Sequence, residues 1–207
     1  MTIIKENKES DKMTKEKQIL NIVKKNKGTI TTKEVNDNNI PRIYLTKLIK
    51  EKKLFRVDRG VYSTVNRKVN SFYTLQVQSD KTIFSHFTSL EIQGFYKNID
   101  KQVQISVPQS YNAKKYTDYK VFYNSKKNFG HGIIEVDYNG YKLKVYDIER
   151  TVCDIIKDRN RFDQMEYYKF INYYFSIDHL NYKKLLEYSL ELKISELVHH
   201  YLAILKA

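Results

Sequence analysis

Glu135 and Asp137 stand two positions apart, with Lys142 and Lys144 close behind. Paired carboxylates beside a lysine can hold a divalent cation and activate water for phosphodiester cleavage. The intervening Asn139-Gly140 favours a type I′ hairpin turn. Two-residue register then sets Tyr138 opposite Tyr141, Val136 opposite Leu143 and Ile134 opposite Val145, an apolar face. The other face sets Asp137 opposite Lys142 and Glu135 opposite Lys144. Each acid thus has a cross-strand lysine, which makes a surface ion-pair ladder the leading reading and a metal-dependent nuclease the alternative.

A second constellation is Asp147-Ile148-Glu149-Arg150-Thr151-Val152-Cys153-Asp154. Asp147 is placed to cap a helix, and Glu149 sits favourably near the positive end of its dipole. Arg150 does not: a cation in the first turn needs a partner, either Asp154 at i+4 or a carboxylate on a neighbouring element, unless it contacts an anionic ligand. Cys153, the single cysteine, lies among Val152, Ile155 and Ile156 and reads as a packed thiol. A Cys–His hydrolase would need one of His86, His131, His179, His199 or His200 beside it, and none has a local motif. His199 and His200 are adjacent, so they leave a helix in different directions and cannot chelate one metal as an i, i+4 pair does. No glycine-rich phosphate loop is present, and no cofactor is implied.

The third constellation is cationic. In the segment after Pro41, Leu45, Leu48 and Ile49 form an apolar stripe at i, i+3, i+4. That turns Ile43, Thr46, Lys47 and Lys50 outward, with Arg42 and Tyr44 on the flanks. Cations for phosphates and guanine edges, with small groups for thymine methyls, are what a major-groove helix presents. An ordinary solvated face is the alternative.

The elements that position this face can be read around it. Ile19, Leu20, Ile22 and Val23 give a helix from Lys15 to Lys27, stopped by Gly28. Thr31 or Thr32 caps a short second helix ending in Asn36-Asp37-Asn38-Asn39. Pro41 opens the third, which runs to about Lys52. Leu54-Phe55-Arg56-Val57 and Val61-Tyr62-Ser63, joined through Asp58-Arg59-Gly60, form a hairpin. Arg56 and Arg59 are its candidate backbone contacts, unless they pair with Asp58. Three helices and a two-stranded wing make a winged helix-turn-helix.

Charge agrees. The 207 residues hold 37 Lys+Arg against 24 Asp+Glu, and residues 1–70 alone hold 18 against 8. Such a surplus favours a polyanion through counterion release, which points to double-stranded DNA. A membrane surface is not expected, because the apolar residues are spaced to pack on one another. One cysteine, no signal peptide and no apolar run of spanning length point to the cytoplasm.

Beyond the wing, 71–78 and 85–93 carry helical patterns. Residues 102–107 alternate as a strand ending at Pro108, and a looser strand spans Tyr119 to Tyr123. After 147 the chain reads as helical. Tyr167, Phe170, Ile171 and Tyr174 form one stripe, and Ile194, Leu197, Val198, Tyr201, Leu202 and Leu205 form another. The expectation is an α+β chain: an extension over 1–13, a winged helix-turn-helix over 14–66, and a mixed α/β domain over 67–207 with a small sheet and a C-terminal helical bundle.

Three stretches resemble the AbiEi antitoxins of abortive-infection systems. They are Leu54-Phe55-Arg56-Val57-Asp58-Arg59-Gly60-Val61-Tyr62, then Ile83 to Leu90 with Val107-Pro108, and Val145 to Asp154. The likeness runs from about residue 15 to 205. It implies an antitoxin and transcriptional autorepressor that binds inverted repeats in its own promoter through the winged helix, helped by basic surface on the C-terminal domain. It also implies a nucleotidyltransferase-like toxin as functional partner, neutralised without a stable complex, with antitoxicity in the C-terminal domain. Asp147, Glu149, Arg150 and Asp154 are then candidates for antitoxicity or for a structural clasp. A monomer or a pair assembled on DNA fits, since no heptad run demands a dimer. The alternative function is a DNA-targeted hydrolase or nuclease.

Overall fold

The computed structural model describes residues 14–66, 69–97 and 102–205, so the expected extension at 1–13 lies outside the described residues. The chain divides into two compact units, residues 1–78 and 79–207.

The first unit opens with α1 (Lys15–Lys25), where the Thr14 hydroxyl caps the helix by accepting from the Lys17 N–H. It ends two residues earlier than the apolar pattern suggests, because Lys27 and Gly28 both take positive φ. A side chain at Gly28 would meet Thr64 Oγ1 at 2.9 Å, so the tight exit needs glycine for space as well as for φ. A short strand β1 (Thr29–Thr31) follows, then α2 (Thr32–Asp37), where Thr31 and Glu34 form a reciprocal capping box. Glu34 Oε1 also accepts from Asn26 Nδ2 at 2.6 Å, tying the end of α1 to the start of α2. Helix α3 (Ile43–Lys50) stops before Lys52, which takes φ +55°.

The wing strands are β2 (Phe55–Asp58) and β3 (Val61–Ser63). The sheet order is β1-β3-β2, so the expected two-stranded wing has a third member. Thr29-Ile30-Thr31 is too short for alternation to reveal it, and its strand character comes from pairing with Ser63, Tyr62 and Val61. A bulge at Val57 shifts the register between Arg56↔Tyr62 and Asp58↔Val61, leaving Arg59-Gly60 as the turn. Ile19, Val23, Ile30, Val35, Ile40, Leu45, Leu48 and Leu54 close into one core. Helix α4 (Ser71–Gln78) completes this unit, and Gln78 Nε2 donates to Asp58 Oδ1 at 3.1 Å.

Among the described residues the second unit is built on a five-stranded mixed sheet of order β6-β5-β4-β8-β7. Its members are β4 (Ile83–Phe84), β5 (Val103–Pro108), β6 (Tyr119–Asn124), β7 (Ile133–Tyr138) and β8 (Tyr141–Tyr146). The central strand β4 is two residues long, antiparallel to β5 and parallel to β8. No period can be read from two residues, and sequence patterning gives no sign of it. The β7–β8 hairpin has the register expected at all of its pairs, and Asn139 and Gly140 both take positive φ as a type I′ turn requires.

Helix α5 (His86–Ile92) follows β4, and the short α6 (Lys126–Phe129) follows β6. After β8 come α7 (Ile148–Lys157), α8 (Gln164–Ser176), α9 (Tyr182–Glu191) and α10 (Ser195–Leu205). The expected stripe on α8 is wholly buried. On α10 only Val198 is fully buried, with Leu197, Tyr201, Leu202 and Leu205, and Ile194 just before the helix, half-buried against the same core.

Candidate nucleic-acid interface

Helix α3 presents a sharply divided surface. Leu45 and Leu48 are buried and Ile49 half-buried, while Arg42, Ile43, Thr46, Lys47 and Lys50 are exposed. Ile43 is 69% exposed and places an apolar side chain among the cations of this face. Tyr44 is half-buried against the core and stands at the edge of this face.

Two of the cations are held by residues outside α3. Lys47 Nζ lies 2.6 Å from Glu16 Oε1 on α1. That hydrogen bond pulls Glu16 below the ordinary carboxylate range and lifts Lys47 above the usual lysine value. Arg42 Nε donates to Asn36 Oδ1 at 3.1 Å, which fixes the start of the guanidinium at the end of α2. Neither partner was visible in the spacing of α3 itself.

In the wing, Arg56 and Arg59 are both exposed. The Asp58 carboxylate accepts from the backbone N–H of Arg59 at 2.6 Å and from Gln78, while Arg56 Nε reaches only the Asp58 carbonyl, at 3.5 Å. Asp58 thus shapes the turn, and among the described residues neither guanidinium makes an ion pair with it. The tip is anchored from inside by Thr32, whose N–H donates to Gly60 O at 2.9 Å.

The motif residues of the second unit form a different kind of site. Arg150 is 0% exposed. Its Nε donates to Asp154 Oδ2 at 3.1 Å, and its Nη1 donates to the carbonyls of Asn128 (2.7 Å) and His131 (3.0 Å). The guanidinium carbon stands 4.5 Å from the Tyr146 ring centre. Burial opposes the charge, but Asp154 and Tyr146 more than offset it, so the guanidinium is held ionised. Asp147 caps α7 through the Arg150 N–H and accepts from Tyr188 Oη and Lys184 Nζ at 2.8 and 2.9 Å. Glu149 stands 3.9 Å from Lys184. The group joins α7, α9 and the loop between α6 and β7.

The alternative catalytic residues are placed as follows. Glu135 pairs with Lys142 at 2.8 Å, diagonally across the hairpin. Cys153 is buried, its thiol directed at Leu185 O, and burial pushes its pKa far up, so no thiolate is offered. Among the described residues no group of three or more His, Cys, Asp or Glu could hold a metal ion. No helix among them is long and apolar enough to cross a membrane.

Sequence reasoning missed one polar array. His86 Nδ1 lies 2.9 Å from Ser85 Oγ and its Nε2 lies 3.2 Å from Asp158 Oδ2. The imidazole is stacked 3.6 Å from Phe122. Ser85 and His86 are both 0% exposed, so no substrate carbonyl can reach the hydroxyl as acyl transfer requires. The array joins α5 to the end of α7. Only the Ser85-His86 dipeptide was legible, since Asp158 lies 72 residues on.

Residues 17–65 match the family model described as transcriptional regulator, AbiEi antitoxin. Residues 17–65 of the first unit are thus similar to a transcriptional-regulator domain of that family, as the resemblance read from the sequence expects, and such a domain implies DNA binding. No curated protein matches the chain.

Proposed function

We propose, from the regulator domain at residues 17–65, that the chain is the antitoxin and autorepressor of a type IV toxin–antitoxin operon acting in phage abortive infection. Helix α3 enters the major groove of inverted repeats in the chain's own promoter. Arg42 and Thr46 address base edges, Lys47 and Lys50 address phosphates, Tyr44 packs at the groove edge, and Arg56 and Arg59 carry the wing to the backbone.

The observation that supports this most is the outward face of α3. Three cations, a threonine and a 69%-exposed isoleucine share it, while the opposite stripe is buried. A thymine methyl is a matching contact for Ile43 among these cations.

The functional partner is a nucleotidyltransferase-like toxin, countered by the second unit without a stable complex, in the cytoplasm. Two copies meet on paired half-sites, either as monomers or as a pair assembled on the DNA. A mobility-shift titration against the chain's own upstream DNA, with competitor DNA at two salt concentrations, tests the reading. Specific, salt-sensitive shifts in two steps are expected. Sequence-blind binding would leave the first unit a generic anchor and would overturn autorepression.

A further inference from the structure

The parallel strands β5 and β6 end side by side at Pro108 and Asn124, with Gln109 N–H donating to Asn124 O at 2.8 Å. Antiparallel β4, in register Ile83↔Ser106, brings the preceding Lys81 to the same end of the sheet. A cavity of about 690 Å³ opens there, lined by Lys81, Pro108, Gln109, Tyr111, Lys126 and Phe129, among others. Its volume is that of a small-molecule site, and the carboxyl ends of parallel strands are where open sheets accept ligands.

The lining is chemically specific. Lys81 and Lys126 are exposed, and among the described residues neither ammonium has an ion-pair partner. Tyr111 is half-buried and pinned: its hydroxyl lies 3.0 Å from Ser79 Oγ and 3.4 Å from Tyr116 Oη, and Lys115 stands 4.8 Å from the Tyr116 ring centre. Phe129 is held from behind, its carbonyl accepting from Tyr146 Oη at 2.9 Å, while Arg150 fixes the adjacent Asn128 carbonyl. Two unneutralised cations beside two aromatic rings, one of them pinned through its hydroxyl, suit a ligand with a phosphate at one end and a flat ring at the other.

We propose that this cavity binds a nucleoside phosphate, with Lys81 and Lys126 on the phosphate and Tyr111 and Phe129 against the base.

The test is calorimetric titration of the full chain, without DNA, with each of the four ribonucleoside monophosphates. Inorganic phosphate, a free nucleoside and a 5′-phosphorylated oligonucleotide serve as comparison arms. Saturable binding of a monophosphate is expected, tighter than that of phosphate or nucleoside alone. It should weaken about tenfold for each charged contact removed in Lys81→Ala and Lys126→Ala, fall in Tyr111→Ala, and stay unchanged in Lys183→Ala. Tighter binding of the oligonucleotide, lost in the same lysine variants, would make a chain end the source of the same chemistry. No saturable binding in any arm, or binding indifferent to both lysines, overturns the proposal.

Discussion

Arg150 and Asp154 lie one helical turn apart with both side chains 1% exposed, and Nε meets Oδ2 at 3.1 Å. Two opposite charges have been taken out of water together, and each exists in the interior only because of the other. Nη1 of the guanidinium donates to the carbonyls of Asn128 in α6 and His131 in the α6–β7 loop, and Nη2 is buried without a hydrogen-bond partner. Removing one partner strands the other, which typically costs about 3–5 kcal/mol. Arg150→Ala is therefore expected to lose about that much in chemical denaturation, confined to the transition of the second unit, while Arg150→Met/Asp154→Leu recovers a large part. A folded, undiminished Arg150→Ala protein lacking antitoxicity would instead make Arg150 a functional contact.

Gly132 faces the same clasp. A Cβ there would stand 2.8 Å from Arg150 Cβ and 3.0 Å from Tyr188 Oη, on a backbone of φ +78°. Gly132→Ala should destabilise by more than about 1 kcal/mol through strain and displacement of Arg150. Thermal melting reads this directly, and an unchanged midpoint would mean the loop yields at no cost.

On the DNA face, Lys47→Ala and Lys50→Ala should each weaken binding at every sequence and reduce the slope of log affinity against log salt by about one. Glu16→Gln should do the opposite to a small extent, because it frees Lys47 from its partner on α1. Its effect should vanish in a Lys47→Ala background. Persistence there would show that Glu16 acts on the duplex through its charge alone.

Arg42→Ala and Thr46→Ala should relax base preference, at about 1–3 kcal/mol per lost base contact, with little change in salt slope. Asn36→Ala should reproduce part of the Arg42 loss, since Asn36 holds Arg42 Nε. Selection from a randomised operator pool measures both. Preference that survives all three places recognition on another face.

Acid should loosen the α5–α7 junction. Burial alone would raise the Asp158 pKa, but the His86 hydrogen bond, with the charges of His86, Lys157 and Arg161, leaves it below the ordinary carboxylate value. A depressed carboxylate contributes stability that is present above its unfolded pKa and lost as pH falls through the folded one. Asp158→Asn should lower the neutral plateau of the stability–pH curve and flatten its acid limb, so that variant and parent converge in acid. An unaltered acid limb would mean that other carboxylates govern it.

The sequence by itself determined the parts that depend on near neighbours. Helical period set which residues of α3 are buried and which are exposed, and a Thr31–Glu34 box three residues apart started α2. Asn139-Gly140 set the hairpin register residue by residue, and Asp147 capped α7. Each of these is decided by dihedral preference and by contacts within a few residues.

Tertiary structure alone decided what joins distant segments. Glu16 meets Lys47 across 31 residues, and His86 meets Asp158 across 72. The two-residue strand β4 is a strand only because β5 and β8 flank it. The carbonyls on Arg150 and the cavity at the ends of β5 and β6 likewise exist only once those strands and loops are brought together. No local preference encodes such partners, because their energy appears only when the chain has closed the intervening loop and excluded water from between them.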